Sequence, residues 1–231
     1  MSKPASETTV SGDDDIRVLL VDDQELFRTG VAVIIDAQPG MRVAGHAADG
    51  FDALRLVDEL EPDVVLMDIR MPEMDGVEAT RQLFSPERAA RRTKPLRVLV
   101  LTTFNLDDRA ATAIRYGASG FLLKDTNPRM LCEAVRTVHT GNAVLAPHDL
   151  AILLDGQFRS RTPVPAAYTG LTEKEQEVFT AVAKGHSNLE IAQLLYAGES
   201  TVKSHVGAIL RKLGLRDRVQ IVVFAHEHGL V

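Results

Sequence analysis

Five polar side chains, Asp22, Asp23, Asp68, Thr102 and Lys124, each follow a short apolar run in this sequence. Carboxylates avoid the ends of buried strands unless something nearby makes them useful. Three carboxylates brought together repel one another, and a divalent cation relieves that repulsion most cheaply. Oxygen ligands with few protein carboxylates suit magnesium, which keeps waters and shares phosphoryl oxygens readily. A lysine adds fixed positive charge and a threonine adds a hydroxyl donor. Together the set meets the needs of phosphoryl transfer: an oxygen nucleophile, a metal on the equatorial oxygens and a cation for developing charge. A carboxylate can itself be the nucleophile and form an acyl phosphate. Its ordinary pKa of ~3.9 keeps it ionised at neutral pH.

For this chemistry the five residues must meet, and the hydrophobic patterning predicts that they do. IRVLLV at 16–21 is an apolar run that ends in Asp22 and Asp23. A helical pattern through Leu26, Val31 and Ile34 stops near Pro39-Gly40, and Met41 to Ala47 reads as a strand. Asp52 to Leu60 is helical, Pro62 closes it, and the buried strand Val64–Met67 delivers Asp68. Gly76 precedes a helix through Val77, Thr80 and Leu83, and the charged loop SPERAARRTKP leads to a strand at Arg97–Leu101. Helix Leu106–Tyr116 ends in Gly117, a left-handed cap by its position. Strand Gly120–Leu123 and helix Pro128–Thr140 complete five strand–helix units. Such alternation implies an α/β, doubly wound parallel sheet with helices on both faces. Functional groups in these sheets collect at the carboxyl ends of the strands, where all five residues fall.

The motifs DD at 22–23, MDIRMPEMDG at 67–76, LTTF at 101–104 and GASGFLLKD at 117–125 resemble the receiver domain of two-component response regulators. The resemblance covers residues 16–140 and implies a flavodoxin-like (βα)5 fold. It implies Asp68 as phosphoacceptor and Asp22 and Asp23 as the acidic pocket. Asp23, Asp68 and the main-chain carbonyl of Arg70 would hold Mg2+, with Asp22 acting through a water. Thr102 and Lys124 would contact the phosphoryl group, and Phe121 aligns with the aromatic switch position. Arg70 and Phe104 flank the pocket and are expected to shield an acyl phosphate from water. A phosphatase of the haloacid dehalogenase type would need a second Asp two residues beyond the nucleophile, where this chain has Arg70. An EF-hand would need its oxygen ligands in one short loop, and these are scattered. Asp125 stands where many receivers carry a cis proline, so the state of the Lys124–Asp125 bond is left open.

From Gly141 the strand–helix register stops. Leu150–Leu154 suggests one short helix within a linker at 141–169, rich in Pro, Gly, Ser and Arg around GQFRSRTPVPAAYTG. Residues 170–231 are helical in pattern throughout, as four helices. Thr172 and Glu175 make a capping box, Asn188 is placed as the next cap, and Asp217 with Gln220 makes a second capping-type pair. Val202, Val206, Ile209, Leu210 and Leu213 form one buried face of the third helix. That helix exposes Lys203, Ser204, Gly207, Ala208 and Arg211, and Lys212, Arg216 and Arg218 follow as further surface charge.

The stretch LTEKEQEVFTAVAKGHSNLEIAQLL…STVKSHVGAILRKLGLRDRVQ resembles the LuxR-type helix-turn-helix module. A receiver joined to it defines the NarL/FixJ type of DNA-binding response regulator. The resemblance implies that the third helix enters the major groove, with Lys203 reading guanine or binding phosphate. Thr201, His205 and Lys212 are implied as backbone contacts or supports, with Ser204, Gly207 and Arg211 on the same face. Gly198 stands where a capping Ser is frequent. Val219, Val222 and Val223 on the last helix are implied as the dimer contact. The implied partners are a sensor histidine kinase, promoter double-stranded DNA, a second copy of the chain and RNA polymerase.

The bulk properties are those of an ordinary soluble globular protein, and the resemblance implies a cytoplasmic transcription regulator rather than an enzyme. The chain has 231 residues, 45% hydrophobic and 25% charged, with a net charge of −6. That charge argues against wholesale coating of nucleic acid but permits a local basic surface. Residues 1–14 are polar, lack the apolar core of a signal peptide and are expected to be disordered. No apolar run approaches the ~18–20 residues of a membrane span. The single cysteine, Cys132, sits at helical spacing with Val135 and Val138 and reads as a core thiol.

Overall fold

A computed structural model describes residues 15–103, 108–142, 144 and 163–231 of the chain. The tail expected at 1–14, Phe104 and the helix expected at Leu150–Leu154 lie outside the described residues. Five strands, β1 (Ile16–Val21), β2 (Met41–Ala47), β3 (Val64–Asp68), β4 (Arg97–Thr102) and β5 (Gly120–Leu123), form one sheet in the order β2-β1-β3-β4-β5. All four pairings are parallel. Helices α1 (Glu25–Asp36), α2 (Gly50–Leu60), α3 (Gly76–Leu83), α5 (Asp108–Arg115) and α6 (Pro128–His139) follow the strands, with α4 (Pro86–Ala89) inserted before β4. This is the doubly wound sheet expected from the alternation, in the flavodoxin-like form that the resemblance implied.

Side-chain alternation along each strand divides the interior into two layers. Leu19, Val21, Val65, Met67, Val98, Val100 and Phe121 join the cluster that includes Ala53 and Val57 of α2 and Ile114 of α5. Val18, Leu20, Val64, Leu66, Leu99, Leu101 and Leu122 join the cluster that includes Ile35 of α1 and Val135 of α6. A one-residue slip in register would exchange these sets, so the packing fixes where each strand ends. β3 and β4 each run one residue beyond the expected end. Asp68 pairs with Leu101, and Thr102 pairs with Leu123. The ladder itself thus holds two of the five polar residues.

Local chemistry explains other boundaries. Asp49 accepts from the Asp52 backbone N–H, so α2 starts two residues before the expected Asp52. The expected loop SPERAARRTKP contains the helical turn α4, because the Ser85 hydroxyl caps it and Pro86 occupies its first position. The Lys124–Asp125 bond is trans, since no cis peptide occurs among the described residues.

The C-terminal part is helical: α7 (Ala166–Thr169), α8 (Glu173–Ala183), α9 (Asn188–Leu194), α10 (Glu199–Leu213) and α11 (Arg218–Glu227). α7 lies inside the segment expected to be linker. Its Tyr168 packs edge-on against Phe179 of α8 at 5.0 Å between centroids. The cap of α9 is Ser187, not Asn188: Ser187 and Glu190 form a full capping box, and Asn188 is the first helical residue. Thr172 with Glu175 and Asp217 with Gln220 cap α8 and α11 as expected. The two parts touch at the amino ends of β4 and β5. No helix among the described residues is long and apolar enough to cross a membrane.

Candidate functional site

The carboxyl ends of β1, β3, β4 and β5 bring the expected residues into one cleft of about 110 Å³, lined by Asp23, Asp68, Arg70, Thr102, Thr103 and Lys124 among others. Lys124 Nζ lies 2.7 Å from Asp22 Oδ2 and 2.9 Å from Asp68 Oδ2, clamped between the two carboxylates. Asp22, Asp68 and Thr102 are buried, at 2%, 4% and 4% exposure, while Asp23 stands open to solvent. Backbone geometry holds the set. The Asp22 Oδ1 accepts from the Gln24 N–H at 2.9 Å, and the Lys124 N–H donates to the Thr102 carbonyl at 2.8 Å. Arg28 of α1 donates to the Asp22 carbonyl, a support that the sequence pattern did not single out. The ring of Phe27 lies 4.9 Å from Lys124 Nζ.

The electrostatics follow from burial and pairing. Burial pushes the Asp68 carboxyl above its ordinary value; Lys124 and the Arg70 backbone N–H pull it back, and Asp22 raises it. Burial works against the Lys124 ammonium, but its bonds to Asp22 and Asp68 outweigh that and raise its pKa. The Asp68 charge is therefore costly to hold and depends on its partners. One oxygen from each of Asp22, Asp23 and Asp68 lies within 4.8 Å of the others, a cluster able to hold a metal ion. An all-oxygen donor set with one open face fits a hard divalent cation.

The next turn of chain leaves no room at Gly76. A Cβ there would meet the Asp68 carbonyl oxygen at 1.9 Å. The start of α3, capped by Asp75 through the Glu78 N–H at 2.8 Å, can approach the end of β3 only because this residue is glycine. Phe121 is buried in the sheet's core cluster at 7% exposure, one residue beyond the start of β5.

On α10 the structure separates the expected contact residues. Thr201, Lys203, Ser204, Gly207 and Arg211 are exposed along one side, and His205 is partly covered. Val202, Val206 and Ile209 face inward, as the stripe required. The Ser204 hydroxyl donates to the Ser200 carbonyl at 3.0 Å. A Cβ at Gly207 would meet nothing within 4 Å, so that stretch of the face is flat and open. Lys212 bonds Glu175 Oε2 at 2.6 Å, bracing the capping box of α8.

Three expectations on the helical part are corrected. Val219, Val222 and Val223, implied as a dimer contact, lie inside the hydrophobic core at 0%, 2% and 5% exposure. A side chain already buried within its own chain has no surface to offer a partner. Arg216 and Arg218, expected as surface charge, are taken up by packing. Arg218 donates to Asn188 Oδ1 at 2.6 Å and to the His186 carbonyl, and burial lowers its pKa to about 10. Arg216 stacks on Phe84 with 3.4 Å to the ring centroid. Residue type alone could not reveal these roles, because each partner lies tens of residues away or in the other half of the chain.

Known proteins resemble this chain in sequence and fold. Residues 18–136 match the response regulator receiver domain, and residues 169–225 match the luxR family of bacterial regulatory proteins. The chain is 41% identical over 220 residues to the Bacillus subtilis transcriptional regulatory protein YxjL, covering 94% of this chain and 98% of that protein. It is 38% identical to the transcriptional regulatory protein LiaR of the same organism, covering 94% and 99%. The response regulator protein VraR of Staphylococcus aureus is 37% identical, again covering 94% and 99%. Among solved structures, a LuxR-family response regulator from Aurantimonas sp. SI85-9A1 aligns with a TM-score of 0.53 and 33% identity, covering 62% of this chain and 97% of that one. The signal receiver domain of a Mycobacterium tuberculosis response regulator, NarL, aligns at 0.51 and 35%, covering 56% and 99%.

Proposed function

The chain belongs to the two-component response regulators with a LuxR-type DNA-binding domain, and from that premise we propose that it is switched by phosphorylation of Asp68. The observation that carries this reading is the clamp of Lys124 between Asp22 and Asp68 at the mouth of an open cleft. Asp68 Oδ attacks the phosphorus of a kinase phosphohistidine. The P–N bond of the ring-protonated phosphohistidine breaks, its electron pair goes to the ring nitrogen so that neutral imidazole leaves, and an acyl phosphate remains on Asp68. Lys124 and Thr102 take the phosphoryl oxygens as ligands, so Lys124 gives up part of its bond to the free carboxylate. Asp22, Asp23, Asp68 and the Arg70 carbonyl are the groups to hold Mg2+, with Asp22 acting through a water. When bound, the ion supplies charge neutralisation for the transferring group. The protein promotes its own phosphorylation and dephosphorylation but is a regulator, not a metabolic enzyme.

The added charge of about −1.5 to −2 replaces one carboxylate charge and biases the β4 and β5 ends around Thr102, Phe121 and Lys124. Double-stranded promoter DNA is the partner of α10. Lys203 is the first residue for base readout, with Thr201, Ser204, His205, Gly207 and Arg211 along the same face. Lys212 supports the fold from its bond to Glu175. Two copies then read two half-sites in the cytoplasm, with RNA polymerase the further partner. The direct test labels the purified full chain with a small phosphodonor and magnesium. Wild type should form an acid-stable, base-labile acyl phosphate, and Asp68→Asn should form none. Undiminished labelling of that variant would sink the assignment.

A further inference from the structure

The seam between the two halves lies at the amino ends of β4 and β5, one strand length from the carboxylate cleft. Ser119, fully buried before β5, donates to Asp217 Oδ2 at 2.8 Å. The other oxygen of that carboxylate caps α11 through the Gln220 N–H at 3.1 Å. Arg97, buried at the start of β4, donates to the Arg216 carbonyl at 3.0 Å. Arg216 in turn donates to the Gly117 carbonyl at 2.9 Å. The Arg218 N–H reaches the Gly141 carbonyl at 3.2 Å, and Gln220 Nε2 reaches that of Ala118 at 3.5 Å. Gly117 has a φ of +119°, and a Cβ there would come within 2.5 Å of Arg216 Nη2 and 2.6 Å of the Phe84 ring. The missing side chain is what admits the guanidinium to its place on Phe84.

These bonds all reach residues 216–220, the entry and first turn of α11. Thr201, Lys203, Ser204, Gly207 and Arg211 on α10 stay exposed at the same time. We infer that the receiver restrains the helical domain by gripping the first turn of α11, and does so without covering the α10 face. In this docked state the reading helix is open, and what is held is the orientation of the domain that carries it.

The grip is built from a few directional bonds set against an adverse charge arrangement. Arg97 and Arg216 place two like charges at the seam, and the bonds of each go to backbone carbonyls: Arg97 to those of Leu96 and Arg216, Arg216 to that of Gly117. Burial lowers the Arg216 pKa to about 10; Asp217 offsets this in part, while Arg97 and Arg92 add to it. Separating the halves returns these like charges to water, which favours release. The strands also span both places. β5 has Ser119 before it and Lys124 after it, and β4 runs from Arg97 at the seam to Thr102 at the cleft. A change at either end therefore acts on elements that the other end also holds.

The test uses the full chain carrying Ser119→Cys with Asp217→Cys, oxidised by a glutathione redox buffer and compared with its reduced form. The native Cys132 is buried and does not compete. The new pair should cross-link in most molecules; a chain that stays reduced overturns the grip. Because Asp217 also caps α11, a second variant, Arg216→Ala, keeps the cap and removes the stacked guanidinium. Its radius of gyration in small-angle scattering should rise above that of wild type, and an unchanged radius overturns the grip independently. The inference rests on the proposed DNA reading only for the last readout, affinity for a mixed-sequence 20-base-pair duplex at low salt. Cross-linked and reduced chains should bind that duplex within about two-fold of each other. A loss of about ten-fold or more on cross-linking would mean the docked receiver covers α10, which overturns the inference. If neither form binds the duplex, the DNA reading fails, and cross-linking and scattering still judge the grip.

Discussion

In the cleft, Lys124 is held between Asp22 and Asp68 with all three side chains buried, whereas Lys203 and Arg211 on α10 stand exposed in solvent. The same kind of charge is used in two ways. On the proposed function, the carboxylate that accepts a phosphoryl group is set in advance, its partners fixed by strand ends and backbone bonds, because positioning supplies most of the catalysis. On the same proposal, the α10 face meets a polyanion that supplies its counter-charge, so its side chains remain solvated until contact. Substitutions in the cleft should therefore act all-or-none, and those on α10 in graded, salt-dependent steps.

The largest effect expected is at Asp68 itself. Asp68→Asn should abolish acyl-phosphate labelling and yet leave the fold intact. Burial raises the folded-state pKa above the ordinary 3.8, so holding the charge costs stability once pH exceeds that folded value. The wild type should accordingly lose stability as pH climbs from the ordinary value through the raised one, and Asp68→Asn should flatten that slope. At neutral pH the variant should match or exceed wild type by up to about 1 kcal/mol in urea unfolding. A clear loss of stability would show that the pocket is a structural ion pair rather than a strained functional one.

Gly76→Ala tests the backbone behind the cleft. The 1.9 Å approach to the Asp68 carbonyl cannot relax through a flexible side chain, so unfolding should come earlier by about 3 kcal/mol or more. Near-normal stability would mean α3 can shift, and labelling would then report whether Asp68 tolerates that shift.

On the exposed face, Lys203→Ala should weaken duplex binding by about 1–3 kcal/mol if it reads a base, with relaxed choice at one position. A uniform loss with a salt slope smaller by about 1 would instead make it a phosphate contact. No change in affinity, selectivity or slope would remove α10 as the reader. Gly198→Ser is the mildest test. The N-cap of α10 is Gly198, which offers no side-chain cap, so a serine there should add a few tenths of a kcal/mol to thermal stability. It should leave labelling untouched.

Much of the cleft was legible in the chain alone because its signals are local. Each polar residue follows an apolar run, and a strand of period two fixes which end its successor occupies. The caps at Thr172 and Asp217 were legible for the same reason, since donor and acceptor lie three residues apart. The cap of α9 was misplaced by one residue, at Asn188, because Ser and Asn are nearly equal as caps and only the bond to Glu190 decides. The turn α4 was missed because its one capping bond lies inside a run of charges that reads as loop.

By itself the sequence determined the alternation of five strands and helices, the polar residues at the strand ends and the apolar stripe of α10. Those features are periodic, and a period is written along the chain. Tertiary structure alone decided that Arg216 and Arg218 are packing residues and that Val219, Val222 and Val223 are core. It alone made Ser119 and Asp217, 98 residues apart, share a buried bond. Whether a charge or a valine is buried depends on which distant surface closes over it, and composition and period hold no record of that partner.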